Sequence, residues 1–352
     1  MNYISTSDFS QEQLQEMLDL AKQFKADGYS DELKGKVLTA VFYNPSLRTL
    51  LSFQTGMQKL GGIANVMQMG DSRKLEYGEG TVMDGGASEH IKEFVKVVAS
   101  YSDVIAVRKS DFIPNKKGHQ NDGISKEDYL ADKFFDLLVE LSDKPVINME
   151  SNMFHPCQSL ADMLTMQEIL GDVKKKKYVL TWAPHTKALP LATPHSQMIT
   201  PSIFGMDVVV ACPPEFNLDA GLMEKARMAA EKAGGSFEVT HDQKAALEGA
   251  DIVCAKSWMS LENYGLSEFA SEAREKYADW MVDDVAGAKF MHCLPVRRNL
   301  VASDSVIDNS VVIQEAENRM WAQMGILSYL LKGSTMKKSL TTTKGKFWLQ
   351  IV

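Results

Sequence analysis

Short apolar segments rich in β-branched residues alternate with helical patterns along most of the chain, and this alternation constrains the fold more than any other feature. Residues 37–43 form the first such segment, and a helical pattern follows from Arg48 to Leu60, where Gly61 and Gly62 end it. Six later segments have the same character: 103–107, 145–149, 178–182, 207–212, 251–255 and 289–292. Strands separated by helices are typical of parallel sheets that helices cover on both faces. The sequence therefore predicts an α/β protein built from doubly wound parallel sheets.

The chain has 352 residues, which is enough for two domains of about 150 residues each. The pattern changes after a helix at 159–171, where the lysine run 174–177 precedes the next strand. We therefore expect two doubly wound domains, residues 1–158 and 159–333, with the last predicted helix packed back on the first domain. The polar, basic tail at 334–352 is expected to be mobile.

The first helix begins with a capping motif. Ser10 precedes the helical pattern and Gln13 follows three residues later, which is the spacing of a capping box. Phe9 and Leu14 are placed for a hydrophobic staple. The apolar positions of the helix fall on one face, which we expect to be buried: Leu14, Met17, Leu18, Ala21 and Phe24.

The charge and cysteine content exclude several classes of protein. The net charge is −8, so the chain repels nucleic acids and anionic membranes, and an anionic substrate needs a local basic site. No apolar run approaches the length of about 18 residues that crosses a bilayer. The four cysteines lack disulfide or metal-ligand spacing, and no basic and apolar leader pattern opens the chain. We expect a reduced, cytoplasmic protein with no metal and with neither nucleic acid nor membrane as a partner.

Polar and basic residues follow the predicted strands, where doubly wound sheets bind their ligands. They come after several different strands: Arg48, Arg108, Glu150 with His155, Trp182, Lys256, and Cys293 with Arg297 and Arg298. Because the carboxyl ends of parallel strands meet at one edge of a sheet, we expect these side chains to converge. The sequence therefore predicts a site that binds an anion and polarises it.

The segment 46–49, Ser-Leu-Arg-Thr, opens the helix after the first strand. A helix N-terminus exposes unpaired amides, Ser46 and Thr49 add hydroxyl groups, and Arg48 adds a guanidinium fork that matches phosphate oxygens. This combination predicts a phosphate site. Helix capping by Ser46 beside a surface arginine is the alternative, and it explains the segment alone almost as well.

His155 and Gln158 follow another predicted strand and open a further helix. A histidine placed there can donate to a substrate carbonyl oxygen, although a lone histidine is more often structural. A zinc site that combines His155 with Cys157 lacks a convincing spacing. Arg108 alone is explained as a charge at a strand end, and it gains significance only from these neighbours.

Four motifs in this order and spacing resemble those of the aspartate/ornithine carbamoyltransferase family over about residues 1–333. They are Ser-Leu-Arg-Thr at 46–49, Arg108, His-Pro-Cys-Gln at 155–158 and His-Cys-Leu-Pro at 292–295. Segments at 81–85, 180–185, 255–258 and 296–299 are similar to those of N-acetylornithine and N-succinylornithine carbamoyltransferases. The resemblance implies transfer of the carbamoyl group of carbamoyl phosphate to the δ-amine of an N-acyl-L-ornithine, without a cofactor, in arginine biosynthesis.

The resemblance also implies roles for individual residues. Those expected to bind carbamoyl phosphate are Ser46, Leu47 through its amide, Arg48, Thr49, Arg108, His155, Gln158 and Arg319. Those expected to bind the acylated ornithine are Glu150, Trp182, His185, Lys256, Cys293, Leu294, Arg297, Ser88 and Arg73. Arg108, His155 and Cys293 are the catalytic candidates, with Cys293 orienting the attacking amine and not acting as a covalent nucleophile. A homotrimer is implied, in which the segment 73–88 enters a neighbouring active site.

Three positions depart from the family pattern. Leu50 stands where a second arginine usually follows the phosphate motif, and the segment 71–75 lacks the tryptophan of the N-acylornithine enzymes. Ser88 stands where acetyl-specific enzymes carry a glutamate that would repel a succinyl carboxylate. With the nearby cations Lys187 and Arg73 or Lys74, and with His185 if it is protonated, Ser88 slightly favours the N-succinyl substrate.

Other functions stay open at this stage. An N-acetyl-specific enzyme and an ordinary ornithine carbamoyltransferase are the alternatives within the family. A non-catalytic relative that binds an anion is the alternative from a different class. A nucleotide-dependent dehydrogenase is disfavoured, because no Gly-x-Gly-x-x-Gly motif follows a predicted strand.

Overall fold

The chain forms two parallel sheets with helices packed against them in a computed structural model, which describes residues 1–69, 74–111 and 124–332. The first sheet has the strand order β2-β1-β5-β6 and consists of β1 (Val37–Phe42), β2 (Ile63–Gln68), β5 (Val104–Arg108) and β6 (Val146–Glu150). Two short strands, β3 (Leu75–Glu76) and β4 (Glu89–His90), pair with each other separately. The helices of this half are α1 (Gln11–Asp27), α2 (Leu47–Lys59), α3 (Ile91–Ser100), α4 (Lys126–Ala131) and α5 (Lys133–Leu141).

The second sheet has the order β11-β10-β7-β8-β9, again with parallel neighbours. Its strands are β7 (Lys177–Trp182), β8 (Asp207–Ala211), β9 (Ser236–Thr240), β10 (Ile252–Lys256) and β11 (Lys289–Met291). The remaining helices are α6 (Pro156–Leu170), α7 (Ala192–Ile203), α8 (Ala220–Ala233), α9 (Gln243–Leu247), α10 (Ser267–Lys276), α11 (Asp304–Asp308) and α12 (Val312–Lys332). The predicted α/β class with two parallel sheets is confirmed.

The strands that the sequence predicts are mostly the central ones. Strand β1, which is buried along nearly its whole length, has the continuous apolar run of a strand covered on both faces. The edge strands β2 and β9 are missing from the sequence prediction. Both are partly exposed, and their residues include polar side chains at positions that face solvent, so they lack a continuous apolar run.

The capping motif of α1 forms as predicted. The Ser10 side chain accepts a hydrogen bond from the Gln13 amide at 3.3 Å, and the Gln13 side chain accepts from the Ser10 amide at 2.9 Å. The buried residues of α1 are the predicted ones: Leu14, Met17, Leu18, Ala21 and Phe24. Local sequence therefore determines both where this helix begins and which face it buries.

Helix α12 packs against α1, α2 and α6, so the expected return of the last helix to the first domain is confirmed. Its closest approach is at Gly325, where a Cβ atom would lie 2.2 Å from the Met17 carbonyl oxygen. Only glycine allows the backbones of α1 and α12 to come this close. This contact places α12, and with it Arg319, beside the end of the first sheet.

One apolar core includes residues of both sheets, for example Leu38 and Val104 of the first and Tyr178 and Val253 of the second. The predicted boundary between residues 158 and 159 falls inside helix α6, and it stays a prediction. The tail predicted to be mobile, 334–352, lies outside the described residues.

Candidate active site

A cavity of about 1150 Å³ opens at the carboxyl ends of the strands, between the two sheets. All but three of the candidate site residues line it: Ser46, Leu47, Arg48, Arg108, Glu150, His155, Gln158, Trp182, His185, Lys256, Cys293, Leu294, Arg297 and Arg319. Thr49 and Ser88 are not part of the lining, and Arg73 lies outside the described residues. The carboxyl ends of the strands thus bring together residues that are far apart in sequence.

The cavity is strongly cationic although the chain is acidic. Among its described lining residues, six are basic and two are acidic: Arg48, Arg108, Lys187, Lys256, Arg297 and Arg319, against Asp111 and Glu150. Such a local excess of positive charge concentrates anions that the net charge of −8 would otherwise repel. The lining therefore suits a substrate with several negative charges.

One corner of the cavity lies at the N-terminus of α2. Ser46 caps this helix by accepting from the Thr49 amide at 3.4 Å, and its hydroxyl donates to the Thr49 hydroxyl at 3.0 Å. The amides of Leu47 and Arg48 precede Leu50, whose amide makes the first intrahelical bond, to the Ser46 carbonyl, so they are free to bind an anion. Thr49 lies fully buried below the lining, where its hydroxyl accepts from Arg319 at 2.7 Å. The hydroxyl groups thus connect the arginine of α12 to the cap of α2.

Three arginines surround this corner, and each keeps part of its hydrogen-bonding capacity unused. Among the described residues, the Nε atoms of Arg48, Arg108 and Arg319 are buried and have no hydrogen-bond partner. Arg108 forms an ion pair with Glu150, while Arg319 is nearly fully buried. Buried N–H donors without partners are costly, and a polyanionic ligand would satisfy them.

His155 lies at the N-terminal end of α6 beside these arginines. Burial, followed by the charges of Arg319, Arg108 and Lys256, lowers the pKa of His155 well below its ordinary value. The ring is therefore neutral at pH 7 and can donate one hydrogen bond. Its Nε2 lies 3.5 Å from a Glu150 oxygen, and its Nδ1 has no partner within the described part of the chain.

The carboxamide of Gln158 is oriented by two buried acids. Its Nε2 donates to Asp162 at 2.7 Å and to Glu315 at 3.1 Å. Its Oε1 is buried and has no partner among residues 1–69, 74–111 and 124–332. A reversed amide would place an oxygen against two carboxyl groups, so the network determines which end bears the oxygen. Gln158 therefore has a free hydrogen-bond acceptor and no free donor.

The other wall of the cavity carries Cys293 and Leu294, directly after β11. Burial raises the pKa of the Cys293 thiol, so the sulfur stays protonated and is a poor nucleophile. The Leu294 amide donates to His292 Nδ1 at 2.9 Å, and Leu294 itself adopts a φ of 53°. The loop after β11 is thereby held in a conformation that few non-glycine residues adopt.

His185 and Arg297 form a pair at the mouth of the cavity. Arg297 Nε donates to His185 Nε2 at 3.0 Å, which requires an unprotonated Nε2. The Lys187 amide and carbonyl both lie near Nδ1, at 3.0 and 3.2 Å, and because the neutral ring then carries its proton on Nδ1, the carbonyl is the acceptor that suits this tautomer. Burial lowers the pKa of His185 to about 4. The suggestion that a protonated His185 supplies a cation is therefore wrong near neutral pH. The ring instead orients a neighbouring cation.

Several aromatic residues of the lining were not predicted from the sequence. Phe216 stacks on Phe269 with ring centroids 5.7 Å apart and lies 4.5 Å from the Trp182 ring. Trp182 Nε1 donates to the carbonyl of Trp258, which also lines the cavity. Phe216 follows β8, so inspection of the residue types after that strand would have found it. Phe216 was not predicted because only polar residues after the strands were considered.

Neither a metal site nor a membrane-spanning helix is found among the described residues. Within them, no group of three or more His, Cys, Asp or Glu side chains is placed to hold a metal ion. None of the helices in the described part of the chain is long and apolar enough to cross a membrane.

Two family models match the chain. The carbamoyl-P binding domain of aspartate/ornithine carbamoyltransferase matches residues 1–168, and the Asp/Orn binding domain matches residues 192–330. An N-acetylornithine carbamoyltransferase of Xanthomonas campestris pv. campestris is 40% identical over 342 residues, 94% of this chain and 97% of that protein. An N-succinylornithine carbamoyltransferase of Bacteroides fragilis is 35% identical over 309 residues, 85% of this chain and 88% of that protein.

A solved structure shows a similar fold. It is an N-acetyl-L-ornithine transcarbamylase in which a glutamate is replaced by valine, complexed with carbamyl phosphate and N-succinyl-L-norvaline. It is 39% identical to this chain, has a TM-score of 0.87, and the match covers 94% of this chain and 99% of that one. Together, the two domain matches and the full-length relatives establish that the chain is a carbamoyltransferase and belongs to the aspartate/ornithine carbamoyltransferase family.

Proposed function

We propose that the chain transfers the carbamoyl group of carbamoyl phosphate to the δ-amine of an N-acyl-L-ornithine, giving an N-acyl-L-citrulline and phosphate. We place this reaction in arginine biosynthesis in the cytoplasm. The observation that carries the proposal is the corner formed by Arg48, Arg108 and Arg319 at the start of α2, where the buried Nε atoms of three arginines have no hydrogen-bond partner among the described residues. An acyl phosphate fits such a corner, and no cofactor is needed.

The phosphate of carbamoyl phosphate binds at this corner. The amides of Leu47 and Arg48 donate to its oxygens, and the Ser46 hydroxyl turns from Thr49 to donate its one proton to them. The Arg48 and Arg319 side chains neutralise the charge of the phosphate. Neutralisation also makes phosphate a better leaving group, because negative charge builds up on it as the bond to the carbamoyl carbon breaks. Thr49 acts from below by holding Arg319.

The carbamoyl group lies next to Arg108, His155 and Gln158. Arg108 and the neutral His155 donate to the carbonyl oxygen, which becomes an oxyanion in the transition state. The free Oε1 of Gln158 accepts from the carbamoyl NH2 group. Donors on one side and an acceptor on the other select a carbamoyl group over a carboxylate, which has no N–H to offer.

The acylated ornithine binds across the cavity. Lys256 and Arg297 pair with its carboxylate, and the Leu294 carbonyl with the Cys293 thiol orients the δ-amine for attack. The amine must be neutral to attack the carbonyl carbon, so the rate rises with pH as the free amine fraction increases. Glu150, which pairs with Arg108, supports the bound substrate where the acylated ornithine meets the carbamoyl group.

The acyl group is the least determined part of the substrate. Ser88 stands where a glutamate would repel a succinyl carboxylate, and this favours N-succinylornithine slightly. A second candidate is N-acetylornithine, which the higher identity to an N-acetylornithine enzyme favours, 40% against 35%. Trp182, Phe216 and Phe269 form an apolar wall that accepts the methylene or methyl part of either group.

The test is a comparison of four acceptors at a fixed concentration of carbamoyl phosphate. The acceptors are N-succinylornithine, N-acetylornithine, ornithine and aspartate, and the product is measured as the citrulline-type ureido compound. We expect the two acylated ornithines to react far faster than the other two. Fast carbamoylation of free ornithine or aspartate, or binding of carbamoyl phosphate with no turnover on any acceptor, would contradict the proposal.

We also propose a homotrimer with shared active sites. Leu47 and Leu51 lie one turn apart on α2 with 72% and 51% of their surfaces exposed, and Val82 is 77% exposed. Exposed apolar residues of this size are typical of a subunit interface. Ser88 is not part of the cavity lining of its own chain, and this supports a contact between Ser88 and the substrate bound by a neighbouring chain.

Sedimentation measures the oligomeric state, and mixing two variants tests the sharing. With N-succinylornithine as substrate, Arg48→Ala and Ser88→Glu should each lower activity. Dissociation and mixed reassembly should restore activity, since some sites then combine an intact Arg48 from one chain with an intact Ser88 from another. Absence of any recovery in mixed oligomers would show that the two residues serve the same chain.

A further inference from the structure

Two carboxyl groups that the mechanism does not use lie directly behind Gln158. Asp162 is on α6 and Glu315 on α12, and their side chains are 2% and 1% exposed. They contact each other through a side-chain hydrogen bond, and both accept from Gln158 Nε2. Neither residue lines the cavity. They therefore act on the substrate site only through the groups they hold.

The geometry requires the pair to carry a proton. Two carboxylates in buried surroundings, in contact with each other and with the same amide nitrogen, cannot both be ionised. Asp162 accepts a second amide bond, from Gln197 at 2.9 Å, and Glu315 accepts from the His292 amide at 2.8 Å. Each acid thus accepts two amide N–H bonds, but Gln158 Nε2 lies closer to Asp162 than to Glu315, 2.7 Å against 3.1 Å, so Asp162 is suited to the negative charge and Glu315 to the proton.

The electrostatic surroundings agree with this assignment. Burial, followed by the charge of Asp162, raises the pKa of Glu315 well above its ordinary value. Arg319 is the nearby cation, and the other titratable groups that face the pair are Tyr178 of β7, Cys254 of β10 and Cys293 after β11. A single negative charge on the pair balances Arg319.

We propose that Asp162 and Glu315 share one proton and serve as positioning residues, which hold the Gln158 carboxamide with its Oε1 free to accept from the carbamoyl NH2 group. This inference rests on the proposed function, since it specifies how the site distinguishes carbamoyl phosphate from inorganic phosphate. The distinction between the two ligands thus depends in part on Glu315 of the last helix, which is 157 residues from Gln158 in sequence. Glu315 also holds the His292 amide and so steadies the loop that carries Cys293.

The main test is Glu315→Gln, with dissociation constants measured for carbamoyl phosphate and for inorganic phosphate. The introduced amide keeps its oxygen for the His292 amide and places an NH2 group against Gln158 Nε2. Two donors then face each other, and turning the carboxamide over would set its oxygen against the charged Asp162. Gln158 therefore has no fully satisfied orientation, and its Oε1 is no longer held towards the carbamoyl group. Binding of carbamoyl phosphate should weaken about tenfold, the cost of one mismatched buried hydrogen bond, with phosphate binding unchanged.

The matched control is Glu168→Gln. Glu168 also connects α6 with α12, through Asn318 at 2.8 Å, but it does not line the cavity or contact Gln158. Its ratio of dissociation constants should equal that of the unsubstituted chain. In a Gln158→Met background, Glu315→Gln should have no further effect on this ratio, because the group through which it acts is gone.

Equal weakening of both ligands by Glu315→Gln would make the pair merely structural and would overturn the proposal. The proposal would also be overturned if Glu315→Gln changed the ratio of dissociation constants in the Gln158→Met background as much as it does in the unsubstituted chain. Should Glu315→Gln fail to fold, infrared spectroscopy of the unsubstituted chain at pH 8 decides, since a protonated carboxyl absorbs apart from carboxylates. We expect that band, and its absence overturns the proposal. Failure of the proposed function is distinct, because the unsubstituted chain itself would then bind carbamoyl phosphate no better than phosphate.

Discussion

The two sides of the active-site cavity differ in how firmly their residues are held. The phosphate side is built on regular elements, with the buried Thr49 and Gln158 on helices and the buried Arg319 held by a hydroxyl of another helix. The acceptor side has His185 and Arg297 on partly exposed loops, and Ser88 on an exposed segment outside the cavity. The common chemistry is thus built on rigid elements, whereas the choice of acceptor depends on loops, which can change without disturbing the fold.

The largest effect is expected at the phosphate corner. Arg48→Ala removes a cation and a donor from the site of the leaving phosphate, and kcat/KM should fall about 10³-fold. Arg298→Ala is the matched control, because Arg298 pairs with Asp304 and Asp308 on the surface and does not line the cavity. Steady-state kinetics of both variants decide the point. A loss below tenfold for Arg48→Ala would mean that the corner does not hold the phosphate.

The rigidity of this corner depends on the close packing of α12. Gly325→Ala would place a Cβ atom 2.2 Å from the Met17 carbonyl oxygen, so α1 and α12 must separate. We expect the free energy of unfolding to fall by about 3 kcal/mol, a typical cost of overpacking, as measured by denaturant titration. Gly86→Ala is the control, since a Cβ there meets nothing within 4 Å. Equal stability of the two variants would contradict this account of the packing.

Acid should destabilise the fold through His195, a buried histidine of α7. His195 accepts from the Asp219 amide at 3.4 Å and lies 3.3 Å from the Met153 carbonyl, and burial lowers its pKa to about 4. The unfolded chain binds a proton at His195 more readily than the folded chain does. The contribution of neutral His195 to the free energy of unfolding is therefore complete above about pH 6.5 and is lost as the pH falls towards 4.

The His195 contribution is about 3 kcal/mol over that pH range. His195→Gln cannot be protonated, so its stability should fall less between pH 7 and pH 4.5 than that of the unsubstituted chain. Denaturant titrations at several pH values measure this difference. Parallel pH curves for the two chains would show that the acid lability has another origin.

On the acceptor side, Ser88→Glu should change the choice of substrate without changing the chemistry. A carboxylate there repels the succinyl carboxylate but not the acetyl group. The ratio of kcat/KM for N-succinylornithine to that for N-acetylornithine should fall about tenfold. Ser88→Gln is the control of similar size without charge. An unchanged ratio would remove Ser88 from the argument about the acyl group.

The smallest effect is expected at His185. His185→Leu deprives Arg297 Nε of its acceptor, so the KM for the acylated ornithine should rise about fivefold, with little change in kcat or in the KM for carbamoyl phosphate. His185→Gln can still accept from Arg297 and should restore most of the affinity. A fall in kcat as large as the rise in KM would indicate that His185 contacts the reacting groups directly.

The central strands and the capped start of α1 were predictable because their signals are local. A continuous apolar run marks β1, and a hydroxyl three residues before Gln13 marks the α1 cap. Edge strands β2 and β9 escaped prediction, because a half-exposed strand has no continuous apolar run. The positions of the catalytic candidates followed from the strand ends and from motifs. The acids behind them, Asp162 and Glu315, have no motif of their own.

The sequence by itself determined the fold class, the family resemblance and most of the residues that meet in the cavity, because each depends on a short segment of chain. Only the tertiary structure decided their chemical state. His155 and His185 are neutral, Gln158 offers an acceptor, and three arginines keep unused donors. These properties depend on burial and on partners far away in sequence, as with Gln158 and Glu315, which are 157 residues apart. Protonation and hydrogen-bond direction are set by the whole surroundings of a group, which no local pattern contains.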